Sequence, residues 1–151
     1  MNITTWTKKY NENTPLTMLT AHDAQMAQLI STCGIDAILV GDSLMHTFQG
    51  QTSTVNATID IMAYHTKAVA SGAPKAFIIS DMPFMSCNIS ATDTLINAKA
   101  LIQAGAHAIK CEVIESNLEL VHRLVNEGFL VMGHIGCRPQ YVNKDGGYIV
   151  H

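Results

Sequence analysis

At 151 residues the chain has the length of one ordinary domain, and 48% apolar against 14% charged residues excludes a disordered polypeptide and provides for a real core. A net charge of −3 with no Lys/Arg cluster gives no footprint for nucleic acid. Residues Met1–Thr5 form no apolar h-region and no apolar run reaches bilayer length, so no signal peptide and no membrane span are expected, and the expected location is cytoplasmic.

In chain order the residues read as strand–helix units. A polar N-terminal arm leads to a first strand, Leu16–Ala21. A helix over 23–33 follows, with Met26, Leu29 and Ile30 on one face at helical spacing. Ala37-Ile38-Leu39-Val40 then reads as a strand buried on both faces, and it delivers Asp42 and Ser43 just past its C-terminal end. A long polar connection over 44–57 follows, of the kind that is more often functional than idle. The next helix is predicted over 58–71, before a strand at Ala76–Asp81. A helix over 90–104 opens on Ser90-Ala91-Thr92-Asp93, a capping-box pattern, and precedes the strand Ala108–Glu112. Ser116-Asn117-Leu118-Glu119 opens a fourth helix by the same pattern, and Phe129–His134 is a fifth strand.

Gly34, Gly72, Gly105 and Gly128 each stand between a helix and the next strand, where a left-handed helix terminator is wanted. Four such junctions mean parallel strands with right-handed crossovers. No GxGxxG follows the first strand, so a dinucleotide fold has little support. Asp42, Asp81, Lys110 and Glu112 all stand at strand C-termini, the ligand-binding end of parallel α/β folds. Either an open doubly wound sheet or the first five units of a (β/α)8 barrel satisfies this pattern. The barrel is favoured, although a whole one needs roughly 250 residues. The expected organisation is one domain over 1–151, a partial barrel without its C-terminal strands. Cys33, Cys87, Cys111 and Cys137 lack CxxC spacing and read as reduced thiols, neither a disulfide framework nor a zinc site.

A set of blocks in order now carries a resemblance: Val40-Gly41-Asp42-Ser43, Met62–Val69, Ser80-Asp81-Met82-Pro83-Phe84-Met85, Ala104-Gly105-Ala106 with Ile109–Glu112, and Gly133-His134-Ile135-Gly136 with Pro139-Gln140 and Gly146-Gly147-Tyr148. Together they resemble the ketopantoate (3-methyl-2-oxobutanoate) hydroxymethyltransferase family of pantothenate biosynthesis, across nearly the whole chain. The resemblance implies a (β/α)8 TIM barrel of the phosphoenolpyruvate/pyruvate type, a homo-oligomer (a decamer in the family), and transfer of a one-carbon unit from 5,10-methylenetetrahydrofolate to 3-methyl-2-oxobutanoate through a Mg²⁺-stabilised enolate. It implies Mg²⁺ ligands at Asp42, Asp81 and Glu112, and substrate contacts at Asp42, Ser43, Asp81 and Lys110, with His134 close by. The family's general base is a glutamate on a later strand, so it is expected beyond residue 151, and residues 1–151 alone are expected to be inactive. Two departures stand out. Met45-His46 replaces the family's glycine after Asp-Ser-Leu, and Gln51–Ala57 lacks its Thr-Leu-Pro run, which bears on the folate side of the site.

Mg²⁺ suits such a site because it takes hard oxygen ligands and keeps positions open for water or substrate. Lys110 and Glu112, two apart on one strand, face the same way. Lys110 reads equally as a substrate contact or as a structural partner of Glu112, and His134 as a buried imidazole or a substrate neighbour. His22, His65, His107 and His122 read as packing or surface residues. Two other functions fit the same pattern: a Mg²⁺-dependent lyase or mutase of another 2-oxo acid, and a non-catalytic barrel fragment serving as a metal-binding or subunit-interaction module.

Overall fold

A computed structural model describes residues 2–147; Tyr148, the last residue of the resembling blocks, lies outside them, as does Met1. Five strands, β1 (Met18–Thr20), β2 (Ala37–Val40), β3 (Phe77–Asp81), β4 (Ala108–Glu112) and β5 (Val131–His134), form one parallel sheet in the order of the chain. Between them run α2 (Ala24–Ser31), a one-turn α3 (Leu44–Thr47), α4 (Ile59–Gly72), α5 (Ala91–Gln103) and α6 (Leu118–Asn126). Sequential parallel order with a helical crossover at each step is the construction of a βα barrel wall.

Both faces of the middle strands are apolar because both are covered. Ile38, Val40, Ile78, Ile109 and Cys111 point outward and pack with Ala27, Ile30, Met62, Val69, Ala98, Leu101 and Leu124 from the helices. Their alternates Ala37, Leu39, Phe77, Ile79, Ala108, Leu130 and Met132 form a second cluster on the inner face, joined there by Trp6.

Trp6 belongs to a helix where the sequence reading expects a polar arm. In α1 (Ile3–Asn11) the Asn2 side chain accepts from the Thr5 N–H and caps the helix. The Trp6 ring lies 5.1 Å from Phe77, the first residue of β3. Lys9 pairs with the buried Asp36, which also accepts from Thr17 N–H and Oγ1 at 2.9 and 3.1 Å. These contacts seal the N-terminal end of the sheet, opposite the acid-tipped rim. Ile3 and Trp6 with Phe77, Ile79, Ala108 and Leu130 line an apolar recess of about 280 Å³ there.

Other expectations are corrected by packing. Met26 and Leu29 are exposed; only Ala27 and Ile30 of α2 are buried. β1 is an edge strand, and α2 packs chiefly on α4. The connection after β2 is not open chain: Leu44 and Met45 are fully buried in α3, and His46 Nδ1 bonds Gln51 O at 2.9 Å, closing the following turn. The departure Met45-His46 thus has a structural use.

The Ser90 cap forms, accepting from Asp93 N–H, but Asp93 takes the Ser90 hydroxyl instead of the Ser90 N–H. The Ser116 box does not form. Glu115–Asn117 make a 3-10 turn, and Asn117 instead accepts from Ile114 N–H and donates to Glu112 O.

Gly34, Gly105 and Gly128 have positive φ as expected, whereas Gly72 is the last residue of α4. It is glycine for another reason: a Cβ there would sit 2.1 Å from the backbone oxygen of Ala24. Backbone cannot yield to such a clash as a side chain can. Gly72→Ala is therefore expected to cost about 1–3 kcal/mol or more by prying α2 from α4. Urea unfolding checks this, and an unchanged midpoint would show that the two helices separate freely.

Candidate active site at the C-terminal rim

The residues singled out from the sequence come together, and the register says why. Asp81 ends β3 and is the cross-strand partner of Lys110; Glu112 ends β4 and is the partner of His134. Each follows an inner-face residue by two or four positions along its strand, so all four project to the inner face. Asp42 joins them from just beyond β2, its N–H donating to Asp81 Oδ2 at 3.1 Å. Ser43 follows at the start of α3, half-buried, its hydroxyl making no cap for that helix. Gly41 leaves room for this arrangement, since a Cβ there would press on Ser43 Oγ at 3.1 Å.

Lys110 does not pair with Glu112. Its ammonium lies 2.9 Å from Asp81 Oδ1, the neighbour that the register places beside it, and 3.3 Å from His134 Nδ1. An ammonium only donates, so Nδ1 accepts and His134 is neutral with its proton on Nε2. Burial and the Lys110 charge lower the His134 pKa, which agrees with that form.

Three carboxylates are buried here: Asp42, Asp81 and Glu112 are 5%, 3% and 7% exposed. Burial raises all three pKa values. Asp81 rises to about 6 in spite of Lys110, and Glu112 to about 7 in spite of the Gln140 N–H, with the Asp42 charge adding to both. Asp42 also rises, against a side-chain bond from Gln140 and the Lys110 charge.

Gln140 is the site residue that sequence reasoning missed. It sits in a 3-10 turn (Pro139–Tyr141) six residues past β5, where no spacing rule points at the rim. The Pro139-Gln140 pair within the resembling blocks was the available signal. Behind the sheet, Thr66 Oγ1 bonds Ser80 Oγ at 2.9 Å and His65 Nδ1 bonds His22 O at 2.6 Å. That part of the Met62–Val69 block therefore anchors α4 against the outer face. His107 stacks on Phe77 and takes the Ile78 N–H, far from the rim.

Among the described residues no three His, Cys, Asp or Glu groups are arranged as a ready-made metal cage. The set nevertheless fits Mg²⁺, which is held by one or two carboxylates plus water and substrate oxygens and not by dedicated all-protein cages. Two carboxylate oxygens are left over for such a use: Glu112 Oε2 is buried without a hydrogen bond, and Asp81 Oδ1 meets only the Lys110 ammonium.

The buried acids make a signed prediction. Glu112 titrates near 4.5 unfolded and near 7 folded, so between these values the folded state binds more protons and stability falls as pH rises. Below pH 4.5 both states carry the neutral acid. Glu112→Gln, which keeps an acceptor for the Gln140 N–H, should therefore stabilise the cation-free protein increasingly from pH 4.5 to 8. The histidines with lowered pKa (His22, His107, His134) act in the opposite sense but cancel between variant and parent. Urea unfolding of both at pH 4.5 and 8 tests this; a difference independent of pH would show that Glu112 titrates normally.

The sequence profile of the ketopantoate hydroxymethyltransferase family matches residues 1–151. The chain belongs to that family. It is 45% identical over 148 residues to the 3-methyl-2-oxobutanoate hydroxymethyltransferases of Bacillus thuringiensis (strain Al Hakam) and Bacillus anthracis, covering 97% of this chain and 53% of each relative. The chain thus spans about half the length of these relatives. Among solved structures, phosphonopyruvate hydrolase aligns at TM-score 0.69 and 17% identity, over 87% of this chain and 50% of that one. A 2,3-dimethylmalate lyase of the PEP mutase/isocitrate lyase superfamily aligns at TM-score 0.62 and 14% identity, over 78% and 48%. These likenesses concern the fold, and with the five-stranded parallel sheet they show that this ketopantoate hydroxymethyltransferase family chain folds as five βα units of a TIM barrel. Among the described residues no helix is long and apolar enough to cross a membrane.

Proposed function

We propose that this rim is the substrate and Mg²⁺ side of a 3-methyl-2-oxobutanoate hydroxymethyltransferase that takes its one-carbon unit from 5,10-methylenetetrahydrofolate. The observation that carries the reading is the meeting of Asp42, Asp81, Lys110, Glu112 and His134 at one end of a parallel sheet in a chain of this family. Asp42 and Asp81, with Glu112 beside them, would hold Mg²⁺, which supplies positive charge to the keto and carboxylate oxygens of a 2-oxo acid.

The chain's own residues do the rest of the binding. Lys110, held between Asp81 and His134, presents a fixed ammonium to the negative charge that develops on the keto oxygen as C3 loses its proton. Ser43, at the mouth, donates to the substrate carboxylate. One water releases the folate-borne methylene as formaldehyde, with both C–N bonds broken and tetrahydrofolate leaving; C3 then adds to the formaldehyde carbon, and the new alkoxide takes up the proton that C3 lost. Proton abstraction is assigned to a glutamate outside residues 1–151.

The test is a chimera in which these residues replace the aligned 148 residues of the Bacillus thuringiensis relative, assayed for keto-acid-dependent release of tetrahydrofolate with Mg²⁺. Asp42→Asn and Asp81→Asn are expected to weaken Mg²⁺ binding and turnover together. Full turnover in either variant would overturn the assignment. Keto-acid consumption without folate would support a lyase or mutase instead.

A further inference from the structure

The loop after β5 reaches back over the rim and spends one buried residue on two carboxylates. Gln140 Nε2 donates to Asp42 Oδ2 at 2.8 Å and to Met82 O at 3.0 Å, and the Gln140 backbone N–H donates to Glu112 Oε1 at 3.2 Å. The residue is 8% exposed. Two acceptors on one NH₂ use both of its hydrogens, so the carboxamide has a single orientation. Turned over, it would set its oxygen against a carboxylate and a carbonyl at once.

We propose that Gln140 is the positioning residue of the cation site: it fixes one oxygen of Asp42 and one of Glu112, and leaves Glu112 Oε2 for the ion or its waters. This rests on the functional reading above. The buried Oε2 of Glu112, which has no hydrogen bond, is the independent sign that the second oxygen is kept for a ligand. Met82 O anchors the clamp to the segment leaving β3, directly after Asp81, so the carboxamide spans the ends of β2 and β3 while its N–H reaches the end of β4. A carboxylate free to rotate would lose order on meeting a cation; one already held does not. Outer partners of this kind are worth roughly 10–100-fold in metal affinity.

Mn²⁺ is the probe, measured by electron paramagnetic resonance without keto acid or folate, so that the readout does not depend on turnover. Gln140→Met keeps the backbone N–H on Glu112 and the side-chain length but removes both donors. It is expected to weaken Mn²⁺ binding by about 10-fold or more. Asp42→Asn in parallel separates the two claims. If Asp42→Asn loses Mn²⁺ and Gln140→Met does not, the positioning role is overturned while the cation site stands. If the unsubstituted protein or its chimera does not bind Mn²⁺, both fall.

A second measurement needs no variant. In the unsubstituted protein, the Gln140 side-chain amide protons should exchange slowly with solvent and shift on titration with Mg²⁺, in step with the Glu112 side-chain carboxyl carbon. Fast exchange with no Mg²⁺-dependent shift would overturn the proposal, whatever the fate of Gln140→Met.

Discussion

Lys110→Ala in the chimera is expected to lower turnover by roughly 10²–10³-fold, the cost of losing one preorganised donor at a developing oxyanion. Mg²⁺ affinity should stay unchanged or tighten slightly. The ammonium lies 2.9 Å from Asp81 Oδ1, so it shares that oxygen with any cation and competes for it. Its removal leaves Asp81 buried without its nearest positive charge, which moves the carboxyl further up from about 6. Both constants are therefore to be measured as a function of pH above 6, so that the rise of the Asp81 carboxyl is separated from the loss of the Lys110 charge. Parallel loss of affinity and rate would mean that Lys110 serves only to hold the carboxylates. Loss of rate alone assigns its charge to the substrate.

Residues 1–151 expressed by themselves are expected to release tetrahydrofolate at a rate lower than the chimera by at least roughly 10²–10⁴-fold, the usual contribution of a positioned base. Inside the described residues the spare acids are badly placed: Glu115 lies in the exposed turn beyond β4, and Asp145 ends a one-turn helix, α7 (Val142–Asp145), instead of lying in an open loop. The sheet itself adds to the expectation. β1 and β5 are its edges, and Met18 and Leu19 on β1 are exposed, 41% and 50%. Unpaired apolar edges recruit other chains, so this polypeptide should self-associate. Sedimentation and the folate-release assay check the two halves of the prediction. Activity close to that of the chimera, in a monodisperse sample, would mean that a base is supplied from within these residues or from a neighbouring copy.

Local pattern along the chain accounts for the scaffold. The apolar run Ala37–Val40 and the apolar openings Phe77–Ile79 and Ala108-Ile109 suit strands covered on both faces, and the helices between them make those strands parallel. Parallel strands put their C-termini at one end, so the gathering of Asp42, Asp81, Lys110 and Glu112 at a common rim follows from where the runs stop. Tertiary structure alone decided the pairings within that rim. Lys110 meets Asp81 and not Glu112 because the β3–β4 register sets Asp81 beside it, and register is a relation between strands that neither strand encodes alone. It also decided which apolar residues are core. Met26 and Leu29 have the spacing of a buried face, yet they stay exposed, while Gly72, which looks like a helix terminator, is small because α2 touches it. Gln140 reaches Asp42 across 98 positions of chain. A contact of that range leaves no periodicity in the sequence, because it depends on a loop folding back over the sheet and on nothing in the residues between.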